Sequence, residues 1–328
     1  MLLVCYGTRP EWIKLKPLID KMRGVVPFKI LFVGQHENLV NEQYDYFIEV
    51  KDGNNRLDCI VSSVMDSFNF KENDISHVIV QGDTATAYAV ALSAFHNKIN
   101  VIHLEAGMRT YDLENPYPEE FYRQCISKMA NIHLTPSQYE SHFLQNEKVK
   151  GDIHIVGNTV LDNLVGVESS YDNTVLVTMH RRENHKLIPE YFKVLSKLAK
   201  ENKQLQFVLP IHPNPNVQKH KHLLDGVLVV EPMSYEKMIS AIAKCRFIIS
   251  DSGGIQEEAS FFNKKVIVCR KQTERVATLN KNCFLCPEPE NLESMFYEMK
   301  DDYFLDMRCP YGDGHSSDKI VRILQCVV

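Results

Sequence analysis

The stretch RFIISDSGGIQEEA, residues 246–259, reads as an apolar strand, a glycine turn and the opening of a helix. Phe247 to Ser250 form the short apolar run of a strand buried in a parallel sheet, and a helical pattern then continues through Glu258, Ala259 and Phe262. Ser252 stands where an N-cap belongs, and Gly253 and Gly254 remove side chains that would hold a ligand away from the unpaired N–H groups of the first turn. A helix N-terminus opened in this way binds phosphate through its donors and its dipole together. An ordinary capped helix packed on two glycines would read the same way, so the stretch decides the fold before it decides the chemistry. Glu257 and Glu258 are poor neighbours for a phosphate, but Glu258 falls more than a turn along and could accept hydrogen bonds from ribose hydroxyls.

The same alternation extends in both directions. Apolar runs at Leu2–Tyr6, Lys29–Val33, His77–Gln81, Asn100–Glu105 and Ile132–Thr135 alternate with helical patterns in the first half. Val175–Thr178, Gln206–Pro210, Val227–Val230, Phe247–Ser250 and Lys265–Cys269 do so in the second. This order predicts βαβ units and parallel sheets, and 328 residues exceed what one core usually holds, so two α/β domains are expected. Residues 1–165 form the expected first domain and 166–312 the second, with polar residues between Val165 and Asn173 interrupting the pattern. Residues 313–328 read as a final helix returning to the first domain. Ligands of such sheets sit outside the carboxyl ends of the strands, and two facing sheets would make a cleft there.

The totals exclude several classes of function. A net charge of −5 without a basic stretch speaks against a nucleic-acid partner. Nine cysteines without a CxxC pair or a Cys/His array predict neither a zinc site nor a disulfide framework, and fit a reducing, cytoplasmic setting. The run Leu2 to Tyr6 is too short for a signal segment and no apolar stretch approaches the length of a membrane span, so no membrane association is expected. No GxGxxG fingerprint follows a strand with an acid about 20 residues later, and no GxxxxGK[ST] loop occurs. Neither a nicotinamide cofactor nor P-loop phosphoryl transfer is supported, and no cofactor or metal is expected.

Polar motifs at the other strand ends carry the candidate chemistry. GTRPE at Gly7–Glu11 offers a close-approach glycine and the forked donors of Arg9, and Pro10 starts a helix carrying Lys14. HRREN at His180–Asn184 concentrates positive charge after a strand. Asp83, Glu105 and Glu119 each stand at a strand or helix end, as general acids and bases would. Taken singly, Arg9 fits a solvated turn, HRREN a surface basic turn, Asp83 a cap for the helix from Thr84, and Glu119 a charge favourable to a helix dipole. His212 either lines the site or shapes a proline-rich turn, and His133 and His154 read as core histidines.

The ordered set GTRPE, GDT, HLEAGMRT, PYPEE with Arg123, GNTV, HRREN, HPNPNV, DSGGIQEE, TER and PYGDG resembles the UDP-N-acetylglucosamine 2-epimerase family in its non-hydrolysing form, over nearly the whole chain. The resemblance implies two Rossmann-like domains of the GT-B type, a UDP-sugar substrate held in the interdomain cleft, and a homodimer. It implies that Arg9, His180, Ser252 and Gly253 hold the UDP diphosphate, that Glu258 meets the ribose, and that Arg275 is a further residue of the cleft; Gly254 and His212 are expected to bind substrate beside them. It casts Asp83, Glu105 and Glu119 as catalytic acids, with Lys14 and His180 beside them. The reaction implied is reversible C2 epimerisation of UDP-GlcNAc to UDP-ManNAc, through elimination of UDP to a 2-acetamidoglucal and its re-addition. Another UDP-2-acetamido sugar such as a 6-deoxy-L-sugar, a hydrolysing epimerase and a GT-B glycosyltransferase are the alternatives. HRREN is followed by His185 and Lys186 where the family usually places a glycine, and TER continues Val276-Ala277-Thr278 instead of PEA. Gln35 and His36 match a QH motif that in bacterial members lies near a regulatory UDP-GlcNAc site, although the residues after them differ.

Overall fold

The computed structural model describes residues 1–34, 42–71 and 73–327; Gln35 and His36 lie outside them. The chain divides into two compact units, Met1–Asn163 with Gly312–Val328, and Leu164–Tyr311. Among the described residues no helix is long and apolar enough to cross a membrane.

The first unit runs β1 (Leu2–Tyr6), α1 (Arg9–Met22), β2 (Phe28–Val33), β3 (Tyr46–Ile48), α2 (Arg56–Ser67), β4 (His77–Gln81), α3 (Ala85–His96), β5 (Asn100–Leu104), α4 (Glu119–Met129), β6 (Ile132–Thr135), α5 (Gln138–Asn146) and β7 (Asp152–Ile155). Its sheet has the order β3-β2-β1-β4-β5-β6-β7, with every pairing parallel. Both faces of such a sheet are covered, which is why β1 is apolar throughout. Leu3 and Cys5 pack with Ile60 of α2 and Val90 of α3 on one face. Leu2, Val4 and Tyr6 pack on the other with Leu15 and Ile19 of α1.

The second unit runs β8 (Thr174–Thr178), α6 (Ile188–Glu201), β9 (Gln206–Pro210), α7 (Pro215–Gln218), β10 (Leu228–Val230), α8 (Tyr235–Lys244), β11 (Phe247–Ser250), α9 (Gly253–Phe261), β12 (Val266–Val268), β13 (Cys283–Leu285) and α10 (Leu292–Asp301). Its parallel sheet has the order β10-β9-β8-β11-β12-β13. The last helix, α11 (Ser316–Val327), belongs to the first unit, where Ile320 and Leu324 join the core beside α1. Its first turn is capped from a distance: Asp162 accepts the N–H groups of Ser316 and Ser317 at 2.9 and 2.7 Å. Lys21 of α1 pairs with Asp318 at 2.8 Å.

Helix α1 contains Pro17, whose ring removes the N–H that would bond the carbonyl of Ile13. That carbonyl instead accepts from the side-chain amide of Asn163 at 3.2 Å, so the helix continues with its polar group satisfied.

The sequence pattern contains no strand at β3, β7 or β13. All three are sheet edges of three or four residues, too short for a clear alternation and only partly buried. His154 is consequently a half-buried residue on the edge strand β7 and not a core histidine, whereas His133 is fully buried with Nε2 on the carbonyl of Lys150 at 2.8 Å. Strand β5 ends at Leu104, one residue before the expected end, because Glu105 takes a left-handed backbone with φ of 65°.

Each sheet reverses its strand order at one place, between β1 and β4 in the first unit and between β8 and β11 in the second. The loops leaving those four strands carry GTRPE, GDT, HRREN and DSGGIQEE. A doubly wound sheet splays its loops apart at such a switch point and leaves a crevice beyond the carboxyl ends.

Candidate active site

In the first unit the loop after β1 is shaped by a glycine and a glutamate. A methyl group placed on Gly7 would fall 2.1 Å from Oγ1 of Thr86, so only glycine fits against α3. Glu11 is 1% exposed and closes a capping box: its Oε2 accepts the N–H groups of Gly7 and Thr8 at 3.0 and 2.7 Å, and its Oε1 accepts from Thr84 at 2.6 Å. Arg9 is exposed at the first residue of α1. One turn further along, Lys14 donates to Oε2 of Glu105, which also accepts from the Gln81 amide. The left-handed backbone at Glu105 is a local strain held in place by these two partners.

Asp83 does not cap α3; Thr84 does, with its hydroxyl accepting from Ala87 N at 3.0 Å. Asp83 is instead gripped by Arg123 of α4, which donates to Oδ2 through Nε at 2.8 Å and approaches it through Nη2 at 2.7 Å. The same guanidinium donates through Nη1 to Glu120 at 2.7 Å. Burial alone would lower the Arg123 pKa, but Asp83 and Glu120 outweigh it and raise the value. Glu120 is fully buried and accepts from the N–H groups of Thr110 and Tyr111 at 2.9 and 3.1 Å, so it shapes the loop before α4. Glu119, the first residue of α4, is half-buried. His103, 1% exposed, bonds the carbonyl of Gly82 through Nε2 at 2.8 Å. Burial pushes its pKa down to about 3, so the ring is neutral and donates Nε2–H to the turn that carries Asp83.

The arginine of HLEAGMRT serves the fold. Arg109 is 2% exposed and meets Glu147 through Nε at 2.7 Å and Nη2 at 2.9 Å, with Ser127 at 2.8 Å. Burial would raise the Glu147 pKa, but its bonds with Arg109 prevail and depress it. A depressed carboxylate binds fewer protons in the folded than in the unfolded chain, so its stabilisation is present above the unfolded value and is lost as pH falls through the folded one. Urea unfolding should therefore show Glu147→Gln well below the parent at pH 7, with the gap closing towards pH 3; a gap independent of pH would contradict the assignment.

In the second unit Asp251, fully buried, organises HRREN. Its carboxylate accepts from the N–H groups of His180 at 3.0 and 3.1 Å and Arg181 at 2.9 Å, and from the Asn184 amide at 3.1 Å. The His180 ring stacks on His212, with centroids 5.3 Å apart and planes inclined by 17°. Burial and then the nearby Arg181, His212 and His185 lower the His180 pKa against the pull of Asp251, which favours a neutral imidazole.

Ser252 occupies the N-cap position of α9 without using its side chain as a cap, contrary to the sequence expectation. Gly253 and Gly254 open the helix, and Glu258 is buried on its second turn at 6% exposure. A methyl group on Gly253 would lie 2.7 Å from Nη1 of Arg275 and 3.2 Å from Nη2 of Arg181. Arg275 is 7% exposed and bound by carboxylates: Nε donates to Glu257 at 3.0 Å, and Nη1 donates to Glu274. Arg181 is partly exposed, and its side chain makes no hydrogen bond or ion pair with another described residue. A guanidinium without a carboxylate partner beside a helix N-terminus is the stronger anion ligand of the two.

The sequence profile of the UDP-N-acetylglucosamine 2-epimerase family matches residues 26–325. The chain belongs to that family. The UDP-N-acetylglucosamine 2-epimerase of Campylobacter jejuni is 36% identical over 98% of this chain and 97% of its own. Among solved structures, the epimerase of Neisseria meningitidis bound to UDP-GlcNAc superposes with a TM-score of 0.88 at 31% identity, covering 98% of this chain and 99% of that one. The S. aureus protein MnaA in complex with UDP superposes with a TM-score of 0.87 at 29% identity, covering 99% and 96%. The two parallel sheets described above are thus the GT-B-like pair of Rossmann-like sheets of the epimerase family. Reading the sequence did not pick out Arg123 or Arg181 as site residues, although both lie inside quoted motifs. Arg123 meets Asp83 only across 40 residues of chain, so no local pattern marked it; Arg181 could have been found as one of two adjacent arginines directly after a strand end.

Proposed function

We propose that this protein interconverts UDP-GlcNAc and UDP-ManNAc by inversion at C2, keeping the sugar on the nucleotide. The observation that carries the reading is the sorting of charge: cation-held acids cluster at the strand ends of the first unit, and an uncapped helix N-terminus with Arg181 stands in the second. The named epimerase relatives and the Neisseria structure with UDP-GlcNAc support it.

The chemistry follows from the substrate. The C2 hydrogen of a 2-acetamido sugar is not α to a carbonyl, so removing it alone would leave an unstabilised carbanion. Coupling its loss to departure of UDP from C1 avoids that anion: the C–H electrons form the C1–C2 double bond while the C1–O bond breaks towards the diphosphate. The products of this anti elimination are a 2-acetamidoglucal and UDP. Re-addition of UDP at C1, with a proton delivered to the opposite face of C2, gives the epimer.

Acids are needed on both faces, and Asp83, Glu105 and Glu119 fill those roles, with Lys14 donating to Glu105. Negative charge grows on the leaving diphosphate, where Arg9, Arg181, His180 and the N-terminus at Ser252, Gly253 and Gly254 stabilise it. Glu258 is assigned to the ribose, and His212 supports His180. Arg275 is assigned to shaping the anion site rather than to direct contact, because its guanidinium is already bonded to Glu257 and Glu274.

Proton NMR of the protein with UDP-GlcNAc in D2O, without added metal or nicotinamide, tests the reading. UDP-ManNAc carrying deuterium at C2 is the expected product. Free ManNAc with UDP would replace this reading by hydrolytic epimerisation, and no reaction under conditions where UDP binds would redirect it to another UDP-2-acetamido sugar.

A further inference from the structure

Five side chains of the second unit form one line of alternating charges. Glu183, in the turn after β8, accepts from Nε of Arg270 at 2.8 Å. Nη1 of Arg270 donates to one oxygen of Glu274 at 3.2 Å, and the other oxygen of Glu274 accepts from Arg275. Arg275 in turn donates to Glu257 of α9 at 3.0 Å. Arg270, Glu274 and Glu257 are each at most 2% exposed, so the line runs through the interior from HRREN to TER to DSGGIQEE. Nη2 of Arg270 is buried without a hydrogen-bond partner among the described residues.

We infer that Arg270 is a positioning residue for the anion site, holding the carboxylates of Glu183 and Glu274 away from the phosphate and fixing Arg275 through Glu274. The inference rests on the reading of this unit as the UDP-binding half. Its guanidinium is closed off from solvent, so it acts through its neighbours and not on the ligand. Without it two carboxylates lose a counter-charge within one turn of Arg181 and Arg275, and released negative charge beside a phosphate site repels the phosphate. Lysine is a poor replacement, because an ammonium cannot span two carboxylates with fixed donors as a planar guanidinium does.

Calorimetric titration with UDP, alongside a thermal melt of each variant, tests this. Arg270→Met should weaken UDP binding by roughly tenfold or more, and the loss should shrink in concentrated salt, which screens the released charges. Adding Glu183→Gln and Glu274→Gln to Arg270→Met should return the affinity to within about threefold of the parent, since glutamine still accepts an N–H but carries no charge. A packing role would leave that triple variant as weak as Arg270→Met, and that result overturns the inference, as does unchanged affinity in Arg270→Met. If Arg270→Met fails to melt cooperatively, Arg270→Lys with and without Glu183→Gln carries the same comparison. A parent protein that does not bind UDP would strike the proposed function itself.

Discussion

Asp83→Asn is expected to reduce turnover about a thousandfold, the scale of losing a general acid or base, while UDP affinity stays within about threefold. Asparagine keeps the shape of the side chain and can still accept from Arg123, so the turn after β4 should keep its course. What it cannot do is exchange a proton with C2. The substitution also leaves Arg123 with Glu120 as its nearest anion, and a buried guanidinium with half its counter-charge costs about 1–3 kcal/mol of stability. A melting curve separates that cost from the catalytic one, because a destabilised but folded enzyme loses active fraction and not turnover per active site.

Glu119→Gln should behave alike in turnover, with less effect on stability because Glu119 is only half-buried. Arg9→Ala, by contrast, should weaken UDP itself, since Arg9 is exposed at a helix N-terminus and assigned to the diphosphate. Titration of all three variants with UDP, set against their steady-state rates with UDP-GlcNAc, decides the matter. An equal loss of UDP affinity in the three would remove the division between proton transfer and nucleotide binding.

The central strands were legible because both faces of a parallel sheet are buried, which writes continuous apolar runs into β1, β4, β8 and β11. The motif loops were legible for the same reason, since each follows such a run directly. What could not be read were pairings between strand ends far apart in the chain. That Asp83 belongs to Arg123, 40 residues on, and Glu105 to Lys14, 91 residues back, follows from the strand order of the sheet and has no local signature. Of the two readings of Asp83, general acid or cap of α3, the structure removes the cap: Thr84, one residue later, takes that place, and the aspartate meets the arginine. The carboxylates around the TER arginine were hidden for the same reason: Glu274 is beside it in the chain, but only the fold brings Glu257 of α9 to its guanidinium.

The two glycines that open α9 should respond to alanine in opposite ways. At Gly253 the new methyl would fall 2.7 Å from Nη1 and 2.9 Å from Cζ of Arg275, and that guanidinium cannot swing aside freely because Glu257 and Glu274 hold it. The strain must pass into Arg275, Arg181 or the first turn of the helix, and overpacking of this kind costs about 1–3 kcal/mol, which on the affinity scale is about five- to 150-fold. Gly253→Ala should therefore lose both thermal stability and UDP binding. At Gly254 a methyl meets no described atom within 4 Å, and alanine in a helix is favoured over glycine by about 0.5–1 kcal/mol. Gly254→Ala should melt at the parent temperature or above it. If the diphosphate rests against the N–H groups of this turn, the same methyl stands where phosphate oxygens must come, and UDP affinity should fall by at least roughly tenfold despite the more stable fold. Gain of stability with loss of affinity is hard to produce by any general damage to the protein. Unchanged affinity in Gly254→Ala would move the diphosphate off the α9 N-terminus and leave Arg181 and His180 as its holders in this unit.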